Sequence, residues 1–133
     1  MRVKDNLEMS ISSFYAELLR IRRIIEAVEK GKKVFFLLDE IFKGTNSQDR
    51  HTGAKVLIRK LGKTGNLGMV STHDLELGSM EQERGSRVKN YHFSENYKDN
   101  QISFDYKLKP GVSTTRNAKY LMRLAGIEIE NGE

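Results

Sequence analysis

The sequence predicts an α/β fold in which a mostly parallel sheet carries flanking helices and is followed by a C-terminal β-hairpin and helix. Three observations carry this expectation. The run Val34–Leu38 has strand length and no alternation, as strands of a helix-covered parallel sheet do, and Leu67–Thr72 is the next short strand. A segment of helical period lies between them, and strand, helix, strand is the order of a parallel crossover. Two further segments rich in aromatic and β-branched residues, Val88–Phe93 and Ile102–Leu108, flank a polar stretch and predict a hairpin.

Taken in order, Phe14, Leu18, Ile21, Ile25 and Val28 form an apolar stripe along one side of a helix from about Ser13 to Lys30. Ser12 or Ser13 is the expected N-cap, and Gly31 marks the end. After the first strand, Lys43 to Gln48 reads as a loop, because Gly44 precedes a Thr-Asn-Ser cluster. Ala54, Leu57, Ile58 and Leu61 mark the second helix, closed by Gly62 and Gly65. A polar helix is expected over Leu75 to Glu83, ending near Gly85. Asn96 to Asn100 is the expected hairpin loop, Pro110-Gly111 a break, and Asn117 to Leu124 a last helix ending at Gly126.

Composition narrows the class. With 133 residues the chain fits one domain, 1–133. It has no Cys, which excludes a disulfide scaffold and any thiolate-ligated zinc or iron–sulfur centre. No apolar run approaches the roughly 18 residues of a membrane span, and Met1-Arg2-Val3-Lys4-Asp5 is no signal peptide, so a soluble, cytoplasmic chain is expected. The net charge is +5, and Lys43 to Lys63 accounts for all of it, with six basic residues against Asp49 alone. Such a segment fits a phosphate or acidic partner, and equally a solvated helix face.

Chemistry concentrates at the ends of the strands. Val34-Phe35-Phe36-Leu37-Leu38-Asp39-Glu40 delivers two carboxylates to the carboxyl edge of a parallel sheet, where open α/β folds bind ligands. In phosphoryl transfer to water, one carboxylate holds the metal's hydration shell and the other orients or deprotonates the water. The dipeptide alone equally fits an acidic helix cap. Met69-Val70-Ser71-Thr72-His73 brings a histidine to the same edge, suited to a γ-phosphate or a catalytic water, or simply to a structural hydrogen bond. The cluster Ser10, Ser12 and Ser13 at a helix start fits an anion site as well as ordinary capping.

Together these residues resemble the MutS family of DNA mismatch-repair ATPases. Ser12-Ser13-Phe14-Tyr15-Ala16-Glu17 resembles its signature helix, and Leu38-Asp39-Glu40-Ile41-Phe42-Lys43-Gly44-Thr45-Asn46 its Walker B strand and D-loop, commonly D-E-I-G-R-G-T. Ser71-Thr72-His73 resembles the switch histidine motif, and Asn117 to Ile127 is similar to the closing helix. Phe42 and Lys43 depart from the common Gly and Arg, which points to a divergent branch.

The resemblance implies part of a P-loop NTPase fold of the ABC type, with ATP and Mg²⁺ as cofactors of the intact protein. It implies Glu40 and His73 as catalytic residues, Asp39 as the Mg²⁺ residue through water, and Gly44, Thr45 and Asn46 as the D-loop. Ser12 and Ser13 would reach in trans to the nucleotide of a second MutS-like subunit, most simply in a homodimer. DNA would be bound through N-terminal domains outside this sequence. No G-x-x-x-x-G-K-S/T occurs here, and Gly62-Lys63-Thr64 reads as a turn. The chain is therefore expected to be the C-terminal part of a larger ATPase domain that binds nucleotide poorly on its own. The family's phosphate-loop strand would pair beside Met69 and Val70, an edge the chain alone is expected to hide by dimerising or rearranging a terminal segment. The alternative is a non-catalytic dimerisation or interaction module with a vestigial ATPase fold. An autonomous nucleic-acid binder using the basic segment is the third reading.

Overall fold

A computed structural model describes residues 3–63, 65–114 and 117–128. The chain divides into two compact units, Met1–Val88 and Lys89–Glu133.

In the first unit, α1 (Val3–Glu29) runs without interruption through the serine cluster. Ser12 and Ser13 are thus mid-helix rather than capping residues, and the expected start at Ser13 is corrected by three turns. The reason is periodicity: Ile11 and Leu7 continue the stripe of Phe14, Leu18 and Ile21, and serine does not stop a helix that nothing else breaks. Gly31 ends it as expected, with its N–H donating to the Val28 carbonyl and that of Lys32 to the Ala27 carbonyl, at 3.0 and 3.1 Å.

β1 (Phe35–Asp39) and β2 (Leu67–Ser71) pair in parallel, in register from Phe35↔Leu67 to Asp39↔Ser71. The intervening α2 (Ser47–Gly62) starts earlier than the apolar pattern indicated, because the Asn46 side chain caps it by accepting from the Asp49 N–H at 2.8 Å. The expected loop is therefore shortened to the residues before Ser47. Thr64, of the tripeptide read as a turn, lies outside the described residues.

Phe36, Leu38 and Val70 turn toward a core built with Ile21 and Val28 of α1, Ala54, Leu57 and Leu61 of α2, and Leu77 and Met80. Gly68 gives the Phe36 ring its place, since a Cβ there would stand 2.2 Å from ring carbons. The other face is open, with Phe35, Leu37, Leu67 and Met69 all more than half exposed. Coverage on both faces, expected from the unalternated run Val34–Leu38, is not found among the described residues. Nor does any described strand pair with the outer edge of β2.

The polar segment after β2 forms 3₁₀ turns, Leu75–Gln82, instead of an α-helix. Its apolar residues Leu77 and Met80 are three apart, which suits the threefold repeat of that helix and buries both.

In the second unit, β3 (Tyr91–His92) pairs antiparallel with β6 (Lys109–Pro110), and β4 (Glu95–Lys98) with β5 (Gln101–Phe104). The hairpin is present in a different register from the expected one. Asn96 to Lys98 are strand, and the connection is Asp99-Asn100, both left-handed at φ 52° and 60°, as a type I′ turn requires. In place of the mostly parallel sheet expected from the sequence, the described residues form one parallel pair in the first unit and two antiparallel pairs in the second. Tyr120 of α3 (Asn117–Leu124) packs on Tyr97, ring centroids 4.3 Å apart. No helix among the described residues is long and apolar enough to cross a membrane.

Candidate functional site

The parallel pairing of β1 with β2 places Asp39 beside Ser71, and the ladder continues one residue further as the Glu40 N–H donates to the Ser71 carbonyl at 2.9 Å. The Ser71 hydroxyl donates to Asp39 Oδ1. Glu40 then leaves the strand in the left-handed region, φ 44°, which an ordinary side chain rarely adopts and which turns its carboxylate across the sheet end. One oxygen of that carboxylate meets His73 Nε2 at 2.6 Å, and the other is bonded by the Lys43 ammonium. The predicted Asp39, Glu40 and His73 are thus brought together at the carboxyl edge.

Electrostatics follow from that arrangement. The Lys43 hydrogen bond holds the Glu40 carboxyl below the usual carboxylate range, with the charges of Lys43 and His73 adding to it, and the Glu40 carboxylate in turn raises Lys43. Glu40 is therefore a carboxylate held between two basic groups, one on each oxygen. The His73 side chain itself is exposed at the cleft.

Two depressions meet at Glu40. One is lined by Glu40, Lys43, Arg50, His51, Thr72, His73, Asp74 and Glu76; the other by Ser13, Phe14, Glu17, Asp39, Glu40 and Gly44. Ser13 thus shares a groove with the acidic pair, whereas Ser12 stands exposed on α1 outside both. Gly44 lies so close to α1 that a Cβ on it would come within 2.6 Å of Phe14 Cβ. The Thr45 N–H closes the turn on the Phe42 carbonyl at 3.5 Å, and Asn46 caps α2.

Several residues at the site were not singled out from the sequence. Asp74 caps the 3₁₀ segment through the Glu76 N–H at 3.0 Å, and its other carboxylate oxygen meets His51 Nδ1 at 2.6 Å. Glu76 lies 3.7 Å from His51 Nε2, so the imidazole is bracketed by two carboxylates. These three side chains are the described group whose ligand atoms lie within metal-binding reach, 4.8 Å, of one another. Since Asp74 is already engaged by a backbone N–H and the imidazole, its evident work is to fasten the segment after His73 onto α2. The one clue in the sequence was that Asp74 directly follows His73.

The basic segment is largely neutralised within its own unit. Lys43 pairs with Glu40, Lys55 and Arg59 with Glu83 at 3.9 and 2.5 Å, and Lys60 with Glu29 at 2.8 Å. Arg50 differs, since its Nε is buried with no hydrogen-bond partner among the described residues while the residue lines the cleft. The solvated, ion-paired helix face is the reading this geometry favours over a free phosphate-binding surface.

The donors at the sheet end are oxygens, the Asp39 and Glu40 carboxylates with the Ser71 and Thr72 hydroxyls, and hard oxygen donors suit Mg²⁺. Asp39 has an exposed carboxylate open to such an ion, whereas both Glu40 oxygens are engaged by His73 and Lys43. A backbone cradle for phosphates is not among the motifs of this sequence.

Comparison with known proteins shows the family of the chain. The family model described as MutS domain V matches residues 1–129. The chain is 32% identical over 126 residues to the DNA mismatch repair protein MutS of Methanosarcina mazei, covering 92% of this chain and 14% of that protein. It is 31% identical over 127 residues to MutS of Aquifex pyrophilus, with 95% and 14% covered, and 27% identical over 124 residues to MutS of Streptococcus sanguinis, with 92% and 14% covered. The chain thus spans 14% of the length of each of these relatives. With the model matching from the first residue to 129 and the acidic pair, the histidine and the serine helix all within the match, the chain belongs to the MutS family, as its domain V.

Proposed function

We propose that this chain is the C-terminal part of a MutS-type ATPase domain and supplies the acidic, histidine and signature-helix elements of composite ATP sites at a dimer interface. The observation that carries the reading is the Glu40 carboxylate, turned out of β1 by a left-handed residue to meet His73 beside Asp39. Two strands delivering catalytic-type groups to one edge, where ligands of open α/β folds bind, suits hydrolysis of a phosphoanhydride.

Asp39 would hold Mg²⁺ through water, and the ion when bound offsets charge on the phosphates. Glu40 would orient a water and accept its proton. Lys43 competes for the same carboxylate, so it must yield one oxygen for Glu40 to act. His73 lies within hydrogen-bond reach of Glu40 and so fixes the carboxylate's direction while facing the cleft. Ser12 and Ser13, exposed in mid-helix with no cap to form, are free to reach a nucleotide held by a second subunit. The phosphates themselves would be cradled by a loop upstream of α1.

The relatives named above are DNA mismatch repair proteins, and the intact protein is proposed to couple ATP binding and hydrolysis to DNA recognition in repair, through domains beyond this chain. In the full-length protein, Glu40→Gln is expected to keep ATP affinity within about threefold and to lower turnover by 10²-fold or more, in the range of a lost general base. Undiminished hydrolysis by that variant would remove Glu40 from its role.

A further inference from the structure

Phe42 is the odd residue of the turn that follows the acidic pair. It has φ 64°, a conformation natural to glycine, yet it carries a bulky ring. The family's common pattern has Gly at this place, so the backbone shape is explained and the side chain is not. α1 supplies what holds the turn. The Glu17 carboxylate accepts the Phe42 N–H at 2.5 Å, and the Phe14 ring, one turn away, meets the Phe42 ring edge-on at 6.5 Å. Phe42 is buried there and also lies against Gly53 of α2, where an added Cβ would stand 3.2 Å from its ring. Gly44 completes the seat by allowing the chain to pass directly over Phe14.

These contacts start from the helix that bears Ser12 and Ser13 and end two residues beyond Glu40. Building on the ATPase reading above, we infer that Glu17 is a positioning residue: its carboxylate fixes the left-handed turn at Phe42 and so holds the Asp39–Glu40 pair in place relative to the serine helix. A carboxylate accepting a backbone N–H makes a charge-assisted bond, stronger than a neutral one and directional. A strained residue persists only where its surroundings over-determine it, and here a hydrogen bond and two ring contacts do so. In a composite site the consequence is that the group serving one nucleotide, Glu40, and the groups serving the other, Ser12 and Ser13, are set by the same helix.

The test compares Glu17→Ala and Glu17→Gln in the full-length protein, since Gln keeps an acceptor oxygen of the same reach. Two quantities are read: amide hydrogen exchange at Phe42, and ATP turnover with nucleotide affinity measured separately. Glu17→Ala is expected to speed exchange at Phe42 by about tenfold or more and to lower kcat by a similar factor at unchanged nucleotide affinity. Glu17→Gln is expected to restore both to within about threefold. Unchanged exchange in Glu17→Ala overturns the inference, and so does faster exchange with normal kcat. An equal fall of kcat in both variants also overturns it, because the acceptor would then be irrelevant. If the wild-type protein hydrolyses no ATP, the ATPase reading falls, while exchange at Phe42 still decides whether Glu17 holds the turn.

Discussion

Among the described residues the buried apolar side chains, from Ile21 and Val28 through Leu61 to Met80, all lie in the unit ending at Val88, whereas every residue of β5 in the unit from Lys89 onward is exposed. The first unit is therefore held by side-chain packing on one face of a parallel pair. The second rests on short antiparallel ladders, a type I′ turn and the Tyr97–Tyr120 contact. Isolated two-stranded pairs are marginal in water, so the two units should open independently and at different free energies. The acidic pair, the histidine and the serine helix all sit in the packed unit, where geometry can be held to the tolerance that catalysis needs.

The largest effect that distinguishes the units is a core truncation. Leu61 is fully buried, and Leu61→Ala is expected to cost about 2–5 kcal/mol in denaturant unfolding, whereas Ile102→Ala on the exposed hairpin should stay within about 0.5 kcal/mol. Comparable losses at both positions would erase the contrast. Next comes the cap of α2: Asn46→Ala is expected to destabilise the first unit by about 1 kcal/mol, with the second unit's exchange rates unchanged.

Smaller effects are read by titration. The Glu40 pKa is lowered mainly by the Lys43 hydrogen bond, so its contribution to stability is present above the ordinary glutamate value and lost as pH falls through the lowered one. Lys43→Ala should move the Glu40 midpoint upward in carbon-detected NMR; an unmoved midpoint would show that Lys43 does not hold the carboxylate. In the second unit the sign is opposite. Tyr97 is pushed up to about 12 by burial and by the Glu95 carboxylate on its hydroxyl. Its contribution is intact below pH 10.0 and fades as pH climbs toward the raised value. Tyr97→Phe should abolish that alkaline loss, followed by exchange of the β4–β5 amides.

Much of this division was legible in the sequence. β1, β2, the core positions of α2, and α3 follow from apolar periodicity and glycine punctuation. Asp39, Glu40 and His73 could be placed at one edge because both their strands are short, apolar and joined by a helix. The start of α1 was misread since serine caps a helix and sits within one equally well, and only the N-terminal continuation of the stripe through Leu7 and Ile11 decides between them. The hairpin register is not legible locally because Asn is favoured at turns yet Asn96 stands in the strand, and two left-handed residues, Asp99 and Asn100, fix it. Glu17 on Phe42 and Asp74 on His51 join residues 25 and 23 apart, and no local pattern encodes such pairs.

The composite-site account is tested most directly by complementation between two inactive full-length variants. One is Glu40→Gln and the other carries Ser12→Ala with Ser13→Ala. Each alone should turn over little ATP. After subunit exchange in an equal mixture, half the dimers contain one site with both elements intact, and about a quarter of wild-type turnover should return for a symmetric pair of sites. Activity that stays at the average of the two parents would contradict the assignment of Glu40 and the serine helix to opposite sides of one shared site.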